Sequence, residues 1–304
     1  MTTRLDLLAK SLERAYQGGV GVNHLGDGAL PDRESVARIC HTALTLFFPG
    51  FFSAERIGRD YIDTFAKQHL IALETLLVDQ VGRALAYEAR ARGFAPPDAN
   101  AAQVLTDALL GDLVEVRELV ATDVEAAFHN DPAATDRAVI VVSYPCIEAI
   151  AVQRFAHRMY RRGVPLLPRM MTEVAHSRTG IDIHPGAAIG ASFFIDHGTG
   201  VVIGETCIIG THCVLYHGVT LGAWNPLVKG EDGDLKRGGS NKRHPDLEDH
   251  VTVYPGATIL GGATRIGHHS VIGGNVWLTH AVAPHSVVTI KDPELDIRTR
   301  KHAV

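Results

Sequence analysis

The sequence predicts an α+β chain in two parts: an all-helical N-terminal domain, then a solenoid of short parallel β-strands carrying an inserted loop. Three observations predict it. Up to about residue 178, apolar residues recur at the spacing of amphipathic helices. From about residue 180 the period changes to six. That period is interrupted twice, at Asp196-His197-Gly198 and by a long polar stretch after Gly222.

In the first half, ESVARICHTALTLFF follows Pro31-Asp32, a helix start. RDYIDTFAKQHLIALETLLVDQVGRALAYEARARG is a long amphipathic helix ending at Gly93, and FAPPDAN breaks the pattern. AQVLTDALLGDLVEVRELVATDVEAAF reads as one further helix, ending near His129-Asn130-Asp131-Pro132. IEAIAVQRFAHRMYRRG follows Tyr144-Pro145, and LLPRMMTEVAHSRTG closes the helical part. The expected domains are 1–178, 179–290 with its loop at 223–244, and a tail at 291–304.

In the second half, apolar residues fall at Ile183, Ile189 and Ile195, then at Ile203, Ile209, Leu215 and Leu221. A third run is read as Tyr254, Leu260, Ile266, Ile272 and Leu278. A period of six fits a short strand plus a turn, so like residues stack coil on coil. Cys207 and Cys213 share one repeat position, where buried stacking is expected. Two extra residues enter between Ile195 and Ile203.

Apolar residues make up 46% and charged residues 21%, as in a soluble globular protein. The net charge of −5 argues against a nucleic-acid binder or an anionic-membrane binder. MTTRLDLLAKSLERAY has no uninterrupted apolar core of a signal peptide, and no run approaches a membrane span. The four cysteines form no CxxC. A cytoplasmic protein is expected.

The interruptions carry the chemistry. A histidine beside carboxylates suits general-base work near neutral pH, which a hydroxyl nucleophile needs. Asp182 precedes His197 by fifteen residues. It could meet that histidine from the adjoining wall of the same solenoid or from an adjacent subunit, and spacing leaves both open. Taken alone, Asp182 reads as a turn residue. The long interruption carries Lys229, Lys236, Arg237, Lys242 and Arg243, suited to an anionic ligand.

The segments DIHPGAAIG (182–190), IDHGTGVVIGET (195–206), GVTLG (218–222) and KRHP (242–245), in that order, resemble the serine O-acetyltransferases of the hexapeptide-repeat acyltransferase superfamily. NDPAATD (130–136) resembles that family's aspartate-containing segment. The resemblance covers about residues 130 to 290. It implies a left-handed parallel β-helix, assembled as a homotrimer or a dimer of trimers with sites between neighbouring β-helices. It implies transfer of an acetyl group from acetyl-CoA, the co-substrate, to the hydroxyl of L-serine, without an acyl-enzyme and with no metal.

On the matching positions, His197 is expected as the general base and Asp182 as its partner. Asp131 and Asp196 would hold the serine ammonium, and Arg243 and His244 its carboxylate. His244 would also stabilise the oxyanion. CoA would run near Gly222 and along Tyr254, Pro255 and Gly256. L-cysteine is the expected feedback inhibitor. The chain departs from the family in its long loop and in Pro255, which offers no N–H to CoA. It also ends at Val304 where the family's docking tail ends in Ile, which argues against docking to O-acetylserine sulfhydrylase.

Two other readings fit parts of the pattern. An acetyltransferase for a sugar or another amino acid would keep a base like His197 but would not need Asp131, Asp196 and Arg243 together. A zinc hydratase resembling γ-class carbonic anhydrase would use the same solenoid, with His212 and His217 as ligands, but the sequence offers no convincing third. A non-catalytic binding wall would leave the charged interruptions unexplained.

Overall fold

The computed structural model describes residues 3–18, 22–26, 28–54, 56–225 and 241–291. The middle of the expected loop, with Lys229, Lys236 and Arg237, and the tail from residue 292 to Val304 lie outside the described residues.

The described helices are α1 (Arg4–Gln17), α2 (Arg33–Phe47), α3 (Ile62–Ala91), α4 (Ala99–Gly111), α5 (Leu113–Asn130), α6 (Arg137–Ser143), α7 (Pro145–Arg161) and α8 (Leu167–Thr179). The starts of α2, α4 and α6 follow from side chains that meet otherwise unpaired N–H groups. Asp32 accepts from Ser35 N at 2.7 Å, Asp98 from Ala101 N at 3.0 Å and Asp136 from Val139 N at 2.9 Å. Pro145 opens α7, where its missing N–H costs nothing. The stretch read as one helix is two, α4 and α5. The chain breaks at Asp112, whose carboxylate pairs with Arg162 Nη1 at 2.7 Å. Short α6 has too few turns to show a period in the sequence. No single described helix is long and apolar enough to cross a membrane.

From Asp182 the chain winds a left-handed β-helix with three parallel faces. Face A stacks β1 (Asp182–Ile183), β4 (Val202–Ile203), β7 (Thr220–Gly222), β10 (Thr258–Leu260) and β13 (Trp277–Leu278). Face B stacks β2 (Ala188–Ile189), β5 (Ile208–Ile209), β8 (Asp246–Leu247) and β11 (Arg265–Ile266). Face C stacks β3 (Phe194–Asp196), β6 (Val214–Tyr216), β9 (Thr252–Val253), β12 (Val271–Ile272) and β14 (Val287–Val288). Ile183, Ile203, Leu221 and Ile259 stack inside face A, each nearly or fully buried. Cys207 and Cys213 are buried at their shared repeat position.

One frame differs from the sequence reading. The third run of inward residues is Leu247, Val253 and Ile259, in register with Ile209, Leu215 and Leu221. Tyr254 therefore points outward and is 42% exposed. An extra residue at Leu260-Gly261, with Gly261 at φ +99°, restores the frame before Ile266. A shift of one residue in a strand exchanges its inward and outward faces, so counting in sixes through Leu260-Gly261, without the extra residue, inverts Tyr254.

The first coil presents an edge of unpaired carbonyls, a template for unwanted pairing. Helix α7 covers it. Gln153 Nε2 donates to Ala187 O at 2.9 Å, His157 Nδ1 to Pro185 O at 2.8 Å, and Arg154 to Ile189 O and Gly190 O at 3.0 and 2.8 Å. Arg154 is also paired bidentately with Asp123 of α5, at 2.6 and 2.7 Å, both side chains almost wholly buried. Asp123 in turn accepts from Phe193 N at 2.9 Å. Removing one member of such a pair leaves a buried charge uncompensated, at about 3–5 kcal/mol. Asp123→Ala is expected to lower unfolding stability by about that amount, and adding Arg154→Met to recover much of it. Denaturant unfolding of the single and double variants checks this, and a loss below about 1 kcal/mol for Asp123→Ala would refute the pair's role.

Candidate active site

The expected site residues fall on the two long edges of face A. At the edge where face C turns into face A, His197 occupies the corner after β3, with φ +58°, a left-handed conformation that histidine tolerates better than most residues. Gly198 and Gly200 follow at φ +87° and +79°. A Cβ at Gly198 would lie 2.4 Å from Ile181 Cδ1, so the corner that presents His197 requires glycine there. These residues supply the expected extra pair: Asp182 of β1 pairs with Val202, twenty residues on, whereas Val202 pairs with Thr220, eighteen on.

His197 is 74% exposed, with Nε2 3.8 Å from Asp196 Oδ2. Its ring meets His217, one coil later on the same edge, at 5.8 Å and 68°. Asp131, at the end of α5, is brought to this corner. Its Oδ2 accepts from the Tyr144 hydroxyl and its Oδ1 from Ala133 N at 2.8 Å. The Tyr144 hydrogen bond, then that of Ala133, and the nearby His197 hold the Asp131 carboxyl below the usual carboxylate range. The same bond pushes the Tyr144 phenol up to about 12. Tyr254 stacks on Tyr216 at 5.0 Å and 12°. Gly256, at φ +70°, donates to His217 O at 3.0 Å, so Tyr254, Pro255 and Gly256 belong to this edge.

At the other edge, where face A turns into face B, lie Gly222, Arg243 and His244. His244 is 8% exposed and packs flat over Gly204, where a Cβ would stand 2.0 Å from His244 Cδ2. Thr206 fixes this turn. Its hydroxyl accepts from Arg243 N and His244 N, each at 3.0 Å, and its backbone N–H donates to His244 Nδ1 at 3.1 Å. A donor on Nδ1 leaves the neutral ring's proton on Nε2. Burial, then the neighbouring Arg243, lowers His244 to about 4. Arg243 pairs with Glu205, which also accepts from the Tyr160 hydroxyl at 2.6 Å. The ring of His184 meets Tyr160 edge-on at 5.8 Å.

Asp182 opens β1 at the same edge as His197 but one coil earlier, and its carboxylate is ion-paired to Arg169 of α8 at 2.9 Å. Among the described residues, no hydrogen bond or ion pair joins Asp182 to His197, nor His197 to Arg243 or His244. Face A is up to three residues wide, about 10 Å at about 3.3 Å per residue. One chain thus carries the expected residues in two separate groups on opposite edges of one face. The residues between them point outward, and Val202 and Trp277 among them are exposed apolar side chains.

His212 and His217 do not form a ligand pair. His212 stacks on His250 at 4.7 Å on the edge between faces B and C, away from His217 beside His197. Glu173, His176 and Asp182 do converge, but the Arg169 guanidinium pairs with both carboxylates there. Residues to which the sequence reading gives no site role are Tyr144, Tyr160, Arg169, Glu205 and Thr206; His217 enters it only as a zinc ligand with His212. Tyr144, Tyr160 and Arg169 stand in quoted helical segments or at a helix start, and Glu205-Thr206 inside a quoted motif.

The neutral state of His244 has a direct check. Its folded value lies below the ordinary 6.5, so its contribution to stability is full above that value and is lost as pH falls toward 4. Imidazole nitrogen resonances of His244 are expected to keep the neutral Nε2–H pattern down to about pH 5. Titration near its ordinary value would refute the buried, Thr206-fixed tautomer.

No family model matches the chain. It is 43% identical over 293 residues to a plasmid-encoded serine acetyltransferase of Synechococcus elongatus, covering 94% of this chain and 90% of the relative. It is 44% identical over 166 residues to the serine acetyltransferase of Mycobacterium tuberculosis, covering 55% and 67%. Among solved structures, it is similar to serine acetyltransferase isoform 3 of Entamoeba histolytica in complex with cysteine, at TM-score 0.71 and 33% identity over 99% of this chain and 96% of the other.

Proposed function

The chain belongs to the serine acetyltransferase family, and we propose that its active site is completed between copies, one chain's His197 edge facing a neighbour's Arg243–His244 edge. The activity is transfer of the acetyl group of acetyl-CoA to the side-chain hydroxyl of L-serine, giving O-acetyl-L-serine and CoA, the first step of cysteine biosynthesis. The observation that carries the proposal is the division of the expected site residues between two edges of one exposed face.

L-Serine is a zwitterion with a weakly acidic hydroxyl, and each edge offers part of what it needs. Asp131 and Asp196, beside His197, meet the ammonium. Arg243 meets the carboxylate, sharing its guanidinium with Glu205. His197, exposed and next to Asp196, takes the hydroxyl proton as the oxygen attacks the thioester carbonyl. His244 presents a neutral Nε2–H donor, which suits the oxyanion of the tetrahedral intermediate. The thiolate of CoA then leaves with the proton His197 carried. A direct attack fits the thiols: all four cysteines are buried, with Cys40, Cys146 and Cys207 pushed up to about 12 and Cys213 to about 11, chiefly by burial. Asp182 acts on the His197 edge either through its own chain, released from Arg169, or across the interface. CoA lies in the same cleft, along Tyr254, Pro255 and Gly256 of one chain and Gly222 of the other. L-Cysteine has the same ammonium and carboxylate and would compete for the same charges. A homotrimer, alone or doubled, closes such head-to-tail contacts.

CoA release from acetyl-CoA is expected with L-serine and not with other amino acids or simple sugars. Release with another acceptor alone would overturn the serine site. The shared site has its own test. His197→Ala and His244→Ala are each expected to lower turnover at least about a hundredfold. Co-expressed as mixed trimers, the two are expected to recover about a quarter of wild-type activity, because random assortment leaves that share of interfaces with both histidines intact. No recovery in mixed trimers would place the whole site within one chain.

A further inference from the structure

We propose that Tyr144 is a positioning residue for serine binding: its hydroxyl holds the Asp131 carboxylate at the edge where the substrate ammonium docks. The inference rests on the reading of Asp131 given above and adds a residue to it. Asp131 is the residue after α5 and Tyr144 the residue before α7, so α6 and its flanking turns form an excursion between them. The phenol–carboxylate bond closes that excursion at its base.

Tyr144 divides its work between ring and hydroxyl. The ring is partly buried against the core, which fixes where the hydroxyl stands. Pro145 at the first position of α7 sets the extended backbone at Tyr144, φ −86° and ψ 116°. The hydroxyl has one proton to donate, and it goes to Asp131 Oδ2. With Ala133 N on the other oxygen, both carboxylate oxygens are held from the protein side. Each oxygen keeps lone pairs for an incoming cation.

The surroundings make such a hold useful. Asp131, Asp196, His197 and the phenols of Tyr144 and Tyr216 act on one another's charge at this corner. A neutral donor holds Asp131 without adding a competing cation, so its carboxylate stays available to an ammonium group. A lysine or arginine there would occupy the place the substrate amine must take.

Tyr144→Phe keeps the ring and removes the donor. It is expected to raise the KM for L-serine about tenfold, the scale of one hydrogen bond to a charged group. The turnover number, the KM for acetyl-CoA and the thermal midpoint are expected to stay within error. The acid limb of kcat/KM for L-serine is expected to move to higher pH, because Asp131 protonates more readily without its donor. Asp131→Asn should raise the serine KM at least as much, and the double variant should be no worse than Asp131→Asn alone, since Tyr144 acts through Asp131. An unchanged serine KM in Tyr144→Phe, with Asp131→Asn impaired, would overturn this proposal alone. Additive effects in the double variant would overturn it too. An unchanged serine KM in Asp131→Asn would remove the ammonium-site reading and this proposal with it.

Discussion

Arg154 joins the two halves of the chain. Its guanidinium is buried between α5, which answers it with Asp123, and the first coil of the solenoid, which offers the carbonyls of Ile189 and Gly190. A planar group with several fixed donors can satisfy both at once; an ammonium could not do so in the same geometry. The arrangement is costly to bury and tolerable only because every strong partner is present. It stops the exposed end of the β-helix from pairing with another strand. It also fixes α5 and α7 against that end, and with them Asp131 and Tyr144, which neither half could place against His197 unaided.

The solenoid below that cap is a scaffold whose corners do the positioning. The turns from face B to C and from face C to A each contain a left-handed residue, and histidine or glycine fills most of those corners. At most of them histidine is structural. His212, His250, His269 and His285 stack in a column, with successive rings 4.5 to 5.1 Å apart, simply because the register superimposes like on like. The corner at His197 differs because two added residues push it outward beside Asp196 and within reach of the helical cap. The opposite edge differs because Gly204 leaves room for an imidazole and Thr206 locks it. The candidate site is built from departures in a repeat, where a Cβ at Gly198 or Gly204 would clash.

Among the described residues, a flat parallel wall separates the two groups of acid–base candidates, and its outward residues include apolar side chains that favour being covered. The same wall keeps Arg243 from reaching Asp196 or Asp131 within one chain, which would neutralise the charges a zwitterionic substrate needs.

The sequence by itself determined the change from helical to six-residue periodicity, the inward residues of the first coils, the two interruptions and the residue types fit for acyl transfer to an amino acid. Those are local: a period, a spacing, a motif. It misplaced Tyr254 because the extra residue at Leu260-Gly261 is invisible until strands are paired, and it merged α4 with α5 because the break at Asp112 is held by a distant Arg162. Tertiary structure alone decided that Asp182 rests on Arg169, that Thr206 and Gly204 fix His244, that Tyr144 holds Asp131, and that the expected site residues fall on two edges of one face. Each of these joins residues far apart in the chain, through hydrogen bonds whose partners no periodicity encodes.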